Sequence, residues 1–356
     1  MNVYIHIPFC KSKCHYCSFI SFPKLELKED YLNALKQEIK HRYRGEKLNT
    51  LYFGGGTPSI LEPNEFEEII NLFNFNNNAE ITTELNPENI TEEYLKNLKN
   101  TKINRLSFGS QTFNDKILKA IGRRHNAQDI EKAVKLAQQV GFDNISLDFI
   151  YGLPNQTIED FTKDLLHACK LNIQHISLYG LKIDEECYFY KNPPKNLPDE
   201  DNQADMYLKA IETLSDFEHY EISNFCKKGF HSKHNLNYWE NNNYYGFGCA
   251  AHGYENGIRY FNYTDLNKYI NNPTTFENSH KLSKQEQLEE EIFLGFRKME
   301  GINITEIQNK FNIDFENKYK TTLEKYKDYF EKTKNGYKLS NNGILISNII
   351  LSEFLA

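Results

Sequence analysis

The chain has 356 residues, a net charge of −7 and 26% charged residues. That length can bury a large core with room for an appendage, and the acidic balance, with a pI near 5.9, argues against nucleic acid as the main partner. Aromatics at 14% mark a folded chain, no apolar run approaches the roughly 18 residues that a membrane span needs, and no basic-then-apolar leader opens the sequence, so the expected location is cytoplasmic.

Val3 to Ile7 reads as a strand and runs straight into Cys10-Lys-Ser-Lys-Cys14-His-Tyr-Cys17, a C-x3-C-x2-C triplet. Helical spacing follows from Asp30 to Arg42, with Tyr31, Leu32, Leu35 and Ile39 on one side. Asn49 to Phe53 is a short apolar strand ahead of Gly54-Gly55-Gly56-Thr57-Pro58. Phe66, Ile69, Ile70 and Phe73 mark a helix, and Ile81 to Leu85 a strand that carries Glu84 and ends at Asn86-Pro87. Thr91 is placed to cap the helix through Leu95 and Leu98. Ile103 to Phe108 is a strand ending in Gly109-Ser110-Gln111. Helical patterns follow near Ile117 and from Ile130 to Val140, the latter closed by Gly141. Asn144 to Ile150 is a strand carrying Asp148, Thr157 with Asp160 forms a capping-box pattern for the helix to Leu171, and His175 to Tyr179 is a sixth strand.

Six strands alternating with helices suit right-handed βαβ units and a parallel sheet. The class is α/β, and the choice lies between an incomplete (β/α)6 TIM-like barrel and a doubly wound open sheet. Polar or glycine-rich signals stand at the C-terminal ends of nearly all these strands. A barrel rim draws its chemistry from several strands, whereas an open sheet concentrates it at one switch point, so the barrel is the expectation over residues 1–190. The breaker-rich Asn192 to Pro198 opens a second region, 191–282, with a helix near Gln203 to Leu214 and then a polar, aromatic stretch from His219 to Tyr263 that reads as loops and short strands. From 283 to 356, a capping box at Ser283 and Glu286, two further short helices, a hairpin signalled by Asn335-Gly and Asn342-Gly, and a terminal helix from Ile344 to Phe354 give an α+β, winged-helix-like domain. It shows no basic recognition stripe, which favours packing or partner docking over DNA.

Three thiolates this close together can hold three corners of one inorganic centre. A tetrahedral zinc site needs a fourth ligand, for which His6 and His15 are the nearest candidates. A [4Fe–4S] cluster on three cysteines leaves one iron open to chelate a ligand. Three unrelated thiols are the remaining reading. Cys169, Cys187, Cys226 and Cys249 are scattered, as buried small hydrophobes are.

The motifs downstream are weak singly and specific in their order. With the triplet, they resemble the oxygen-independent coproporphyrinogen oxidase branch of the radical S-adenosylmethionine (radical SAM) superfamily. The runs that carry the resemblance are Tyr-Ile-His-Ile-Pro-Phe-Cys, Gly-Gly-Gly-Thr-Pro-Ser, Thr-Glu-Leu-Asn-Pro, Arg-Leu-Ser-Phe-Gly-Ser-Gln, Gly-Arg-Arg-His and Asp-Phe-Ile-Tyr-Gly-Leu-Pro. The resemblance implies an incomplete (β/α)6 barrel with Cys10, Cys14 and Cys17 on a [4Fe–4S] cluster. It implies S-adenosylmethionine on the open iron, with Gly55, Gly56 and Glu84 beside it and Tyr4 and Tyr16 against cluster and adenine. It also implies a second S-adenosylmethionine lined by Gly56, Thr57, Gln111, Arg123 and Asp148. Arg123 suits a carboxylate, because its planar fork pairs bidentately. Two departures separate this chain from the coproporphyrinogen enzymes: Phe19 stands where they carry a further cysteine, and the first strand starts at Val3 without their N-terminal extension. In addition His234-Asn235-Leu-Asn-Tyr238-Trp239 reads H-N-x-x-Y-W, which resembles the HemW relatives that act as heme chaperones. That likeness implies heme as a ligand, with His234 as the axial ligand, Asn235 beside it, and Tyr238 and Trp239 over the ring. It implies delivery of heme to membrane respiratory proteins, and leaves oxidative decarboxylation of coproporphyrinogen III as the alternative. Peripheral membrane contact and a homodimer are both compatible with the sequence.

Overall fold

The structure is a computed structural model and describes residues 1–355. Twelve strands form one sheet. They are β1 (Asn2–Ile7), β2 (Leu48–Gly55), β3 (Phe75–Leu85), β4 (Arg105–Gln111), β5 (Ile145–Tyr151), β6 (His175–Gly180), β7 (Glu218–Glu221), β8 (Asn224–Cys226), β9 (Tyr244–Phe247), β10 (His252–Glu255), β11 (Ile258–Phe261) and β12 (Asn278–Lys281). Their order is β12-β11-β10-β9-β1-β2-β3-β4-β5-β6-β8-β7. The strands β1 to β6 lie side by side in chain order and pair in parallel. There is no reversal of order and hence no switch point, which is the arrangement of a partial barrel and not of a doubly wound sheet.

Each parallel strand alternates apolar and polar residues. Val3, Ile5, Leu51, Phe53, Leu106, Phe108, Leu147, Phe149 and Ile176 are buried in the main core together with Leu35, Phe66, Leu95, Ile130 and Phe161 of the outer helices. The opposite parity carries Tyr52, Glu84, Arg105, Ser107, Asp148 and Ser177, which point inward and line a cavity. Period-2 alternation therefore puts hydrophobic area under the helices and hydrogen-bonding groups inside the barrel. Local signals set the helix ends as expected. The Thr91 hydroxyl accepts the Tyr94 amide, Thr157 accepts the Asp160 amide, Ser283 and Glu286 close a full capping box, and Gly141 takes φ +92° after the helix Ala127–Gln139.

The structure departs from the sequence reading in four places. First, β9 pairs in parallel with β1, adding a seventh parallel strand from a segment of only four residues. Second, the stretch from His219 to Tyr263 is not only loops and short strands, because Lys233–Trp239 is a helix. Ser232 caps it through the Asn235 amide, and the Glu80 carboxylate on β3 takes the Lys233 and His234 amides. Half of that cap comes from a residue 154 positions away. Third, Asn342-Gly343 lies inside the helix Asn341–Leu345, capped by Ser340, so the C-terminal hairpin turns only near Asn335. Fourth, the terminal helix is broken at Ile346 into Asn341–Leu345 and Ser347–Ser352.

The remaining strands, β13 (Ile302–Asn303), β14 (Phe330–Lys332) and β15 (Gly336–Leu339), form a separate antiparallel sheet ordered β13-β15-β14. They share a second hydrophobic core with the helices around Leu288, Ile292, Ile307, Phe315 and Phe354. Among the described residues, no helix is long and apolar enough to cross a membrane.

Candidate functional site

The cysteine loop leaves β1 at the C-terminal rim. A bridge between Phe9 and Phe22 closes its base, with the Cys10 amide on the Phe22 carbonyl and the Phe22 amide on the Pro8 carbonyl. Its far side is pinned where the His15 amide meets the Ile121 carbonyl and the Phe189 amide meets the His15 carbonyl. The Cys10, Cys14 and Cys17 sulfurs are free thiols facing the cavity, and they do not converge to within 4.8 Å of one another as the ligands of one ion would. A cubane cluster takes each thiolate on a different iron and spaces them more widely. His6 is not a fourth ligand in waiting: its ring nitrogens bond the Tyr4 hydroxyl (3.0 Å) and the Ile20 carbonyl (2.8 Å). The His15 Nδ1 lies on the Ala120 carbonyl. Burial raises the Cys10 thiol and pushes Cys17 up to about 11, so a metal centre must displace their protons to bind.

The Gly54 to Gly56 turn packs beneath this loop. A Cβ on Gly56 would lie 2.6 Å from the Phe9 carbonyl oxygen and 2.8 Å from that of Ile7, while the Gly56 amide donates to the Ile7 carbonyl. Gly55, at φ +107°, would set a Cβ 2.5 Å from the His6 ring. The sequence reading gave these glycines to the approach of a ligand. Geometrically their first requirement is contact with β1 and the cysteine loop, although both also line the cavity.

Twelve of the sequence-predicted residues meet in that one cavity of about 380 Å³: the three cysteines, Tyr16, Gly55, Gly56, Thr57, Glu84, Gln111, Arg123, Asp148 and Asn235. Glu84 accepts the Tyr52 hydroxyl (2.8 Å) and the Gly55 amide (3.3 Å). Burial lifts its pKa to about 7, the Tyr52 hydrogen bond opposes this, and the Asp148 charge adds to it. Asp148 accepts from Ser107 and Ser146; burial raises its pKa, against the pull of Ser177 and Arg105. Arg123 donates to the Gly109 carbonyl (2.7 Å) and Asn86 (2.9 Å), and reaches the Cys14 sulfur at 3.5 Å. Asn86 in turn donates to Thr57, whose hydroxyl meets the Cys10 sulfur at 3.2 Å. Buried polar atoms are left without partners around this chain: Arg123 Nε, Arg105 Nε and Gln111 Oε1. Orphaned donors and acceptors beside a cavity are the mark of a site built for a polar ligand. Gln111 is held toward it by a left-handed backbone (φ 61°) where β4 slips register against β5.

Tyr4, His234, Tyr238 and Trp239 do not line the cavity. His234 is 1% exposed. Its Nδ1 meets the Thr50 hydroxyl (2.7 Å) and its Nε2 the Tyr238 hydroxyl (2.8 Å). Its ring stacks on Tyr52 at 4.9 Å and lies beside Tyr4 at 6.4 Å. The helix Lys233–Trp239 thus closes the barrel at the N-terminal ends of β1 to β3, with His234 and Tyr238 as floor. Both ring nitrogens of His234 are engaged here and the side chain is buried, so the axial-ligand role expected of it would require these hydrogen bonds to break. Trp239 points elsewhere, under the Arg297 guanidinium at 5.3 Å and beside the C-terminal domain. The four motif residues serve three surroundings, because a helix turns successive side chains by 100°. Tyr52, Asn86, Arg105, Ser107, Ser177 and Tyr179 also line the cavity and were missed. The signal was present in part: most occupy the polar parity of otherwise apolar strands.

Two families of known proteins share these features. Residues 4–168 match the radical SAM superfamily, and residues 282–346 match the HemN C-terminal domain. The chain is 38% identical over 330 residues to the heme chaperone HemW of Lactococcus lactis, covering 89% of this chain and 87% of that one. It is 36% identical over 341 residues to the heme chaperone HemW of Bacillus subtilis, covering 91% and 90%. In structure it superposes on the coproporphyrinogen III oxidase HemN of Escherichia coli, a radical SAM enzyme, with a TM-score of 0.87 at 23% identity, over 100% of this chain and 90% of that one. At that identity the likeness speaks for the fold. The thiol triplet on the rim of a partial barrel, the C-terminal domain and the identity along most of the chain place this protein in the HemW-type heme chaperone family of the radical SAM superfamily.

Proposed function

We propose that this chain is a heme-handling protein that holds a [4Fe–4S] cluster on Cys10, Cys14 and Cys17, binds S-adenosylmethionine across the barrel rim, and passes heme to membrane respiratory proteins. The observation that carries the reading is the convergence of the three free thiols with Glu84, Arg123 and the orphaned Gln111 and Arg105 atoms on one cavity. When bound, a reduced cluster supplies one electron to a sulfonium ligand. The chain's own residues hold and orient. Glu84, on β3, offers a carboxylate to an amine or to ribose hydroxyls, with Tyr52 and Gly55 fixing its rotamer. Arg123 keeps its charge despite burial, because a guanidinium does not lose its proton in a protein, and its fork suits a carboxylate. Thr57 and Asn86 tie that fork to Cys10, so the thiol loop and the anion-binding residue move together.

For heme, the support lies at the cavity mouth. Phe19 is 64% exposed and Tyr179 45% exposed, and they share the cavity with Leu181, Lys13 and Lys182. Apolar faces flanked by cations fit a flat macrocycle with two propionates. The H-N-x-x-Y-W helix acts from below: His234 and Tyr238 support Tyr52, and through it Glu84, while Asn235 reaches the cavity. The test is anaerobic reconstitution with iron and sulfide, followed by separate titrations of S-adenosylmethionine and heme. The reading expects both to bind. No heme uptake by the cluster-loaded protein would end it.

A further inference from the structure

We propose a second metal site, separate from the cysteine triplet, in which Glu218, Cys226 and His231 bind one divalent cation of the zinc class. Among the described residues this is the one group of His, Cys, Asp or Glu side chains whose ligand atoms all lie within 4.8 Å of one another.

The fold brings the three together by two local devices. Glu218 on β7 and Cys226 on β8 are direct partners in an antiparallel pair, so their side chains stand on the same face. After Cys226 the chain reverses in a tight turn, where the Phe230 amide donates to the Lys227 carbonyl at 3.0 Å and Gly229 takes φ +88°. Only glycine takes that conformation readily. The reversal returns His231 over the strand pair, with its Nε2 3.2 Å from a Glu218 oxygen. Its ring is held edge-on against Tyr220 at 4.8 Å.

One thiolate, one imidazole and one carboxylate form a mixed S, N, O set. Borderline-soft zinc accepts all three, at about 2.3, 2.0 and 2.1 Å, and a fourth tetrahedral position stays open to water. Those bonds put ligand atoms roughly 3.3–3.8 Å apart; the His231 and Glu218 atoms already stand at 3.2 Å, and no pair in the set is separated by more than 4.8 Å. Cys226 is wholly buried, whereas the Glu218 side chain is 52% exposed, so an ion enters along the carboxylate. Burial, and after it the Glu218 carboxylate, push the Cys226 thiol up to about 12, so a bound ion must displace its proton. Lys227 does not compete, because its ammonium is turned to Asn172 at 2.7 Å. His231 stands one residue before Ser232, the cap of the floor helix, so a bound ion fixes the segment that seats His234 beneath the cavity.

The experiment uses the full-length protein with its iron–sulfur cluster reconstituted, so that Cys10, Cys14 and Cys17 are occupied. Cobalt(II) is titrated anaerobically and followed by its thiolate-to-metal charge-transfer band and ligand-field bands, then displaced with zinc. The proposal expects one cobalt per chain. Cys226→Ser should abolish the charge-transfer band. Glu218→Gln and His231→Gln, both at partly exposed positions, should weaken cobalt on the order of 100-fold, more than the loss of an outer-shell partner usually costs, with the iron–sulfur absorbance unchanged. A second background, Cys10→Ala with Cys14→Ala and Cys17→Ala, should keep the band. Absence of saturable cobalt binding in the cluster-loaded protein would overturn the proposal. So would a band that survives Cys226→Ser, or cobalt affinity unchanged in both surface variants.

Discussion

Glu84 offers the sharpest test of the cavity, because its stability and binding effects should run in opposite directions. Its pKa is lifted from 4.5 to about 7 in the folded chain, chiefly by burial. The protonated form is therefore the one that folding favours. The contribution is fully present below pH 4.5 and is lost as pH rises toward 7, where the folded chain must carry an under-solvated carboxylate. Linkage gives a cost of about 1 kcal/mol at pH 5 and about 3 kcal/mol at pH 8. Glu84→Gln removes that cost. It keeps an acceptor for the Tyr52 hydroxyl but weakens the Gly55 contact, worth about 1 kcal/mol. The net expectation for ligand-free protein is no gain at pH 5 and a gain of about 2 kcal/mol at pH 8. Urea unfolding at the two pH values measures it through the shift in midpoint at constant slope. S-adenosylmethionine affinity, read by calorimetry on cluster-loaded protein, should fall in the same variant. Equal destabilisation at both pH values would refute the reasoning, since it would show an ordinary structural carboxylate. A stabilised variant that binds as well as the parent would remove Glu84 from the ligand site.

Four further outcomes are expected. Replacing Cys10, Cys14 and Cys17 together by Ala should take reconstituted iron from roughly four per chain to none, checked by iron analysis; a retained cluster would refute the assignment. Gly56→Ala should lower cluster yield and destabilise the chain by about 1–3 kcal/mol, because the added carbon meets the backbone of Ile7 and Phe9, which cannot swing aside. His234→Ala should destabilise by about 2–4 kcal/mol, through two lost hydrogen bonds and an opened floor, and leave the Soret maximum of bound heme in place. Loss of iron coordination in a variant of parental stability would instead make His234 the ligand. Finally, anaerobic incubation with reductant, S-adenosylmethionine and coproporphyrinogen III should yield no protoporphyrinogen, given Phe19 at the mouth; turnover above a cluster-free control would reverse that expectation.

By itself the sequence determined what depends on short periods and single residues. The six strands from β1 to β6, the helices between them and caps such as Thr91, Ser283 and Gly141 were legible because period 2, period 3.6 and capping act within a few residues. The cavity-facing Glu84, Gln111, Arg123 and Asp148 were legible from the order of motifs at strand ends. Only tertiary structure decided where weak local signals go. The four residues of β9 are a strand because β1 offers them a free edge. The helix Lys233–Trp239 stands because Glu80 caps it from β3. The H-N-x-x-Y-W motif, in a stretch read as loops and short strands, forms a helix at the barrel floor, where Thr50, 184 positions away, and Tyr238 meet the two nitrogens of His234. Cys226 read as one of four scattered thiols for the same reason: a ladder register and a glycine turn bring it to Glu218 and His231, and neither pairing is written in any local period.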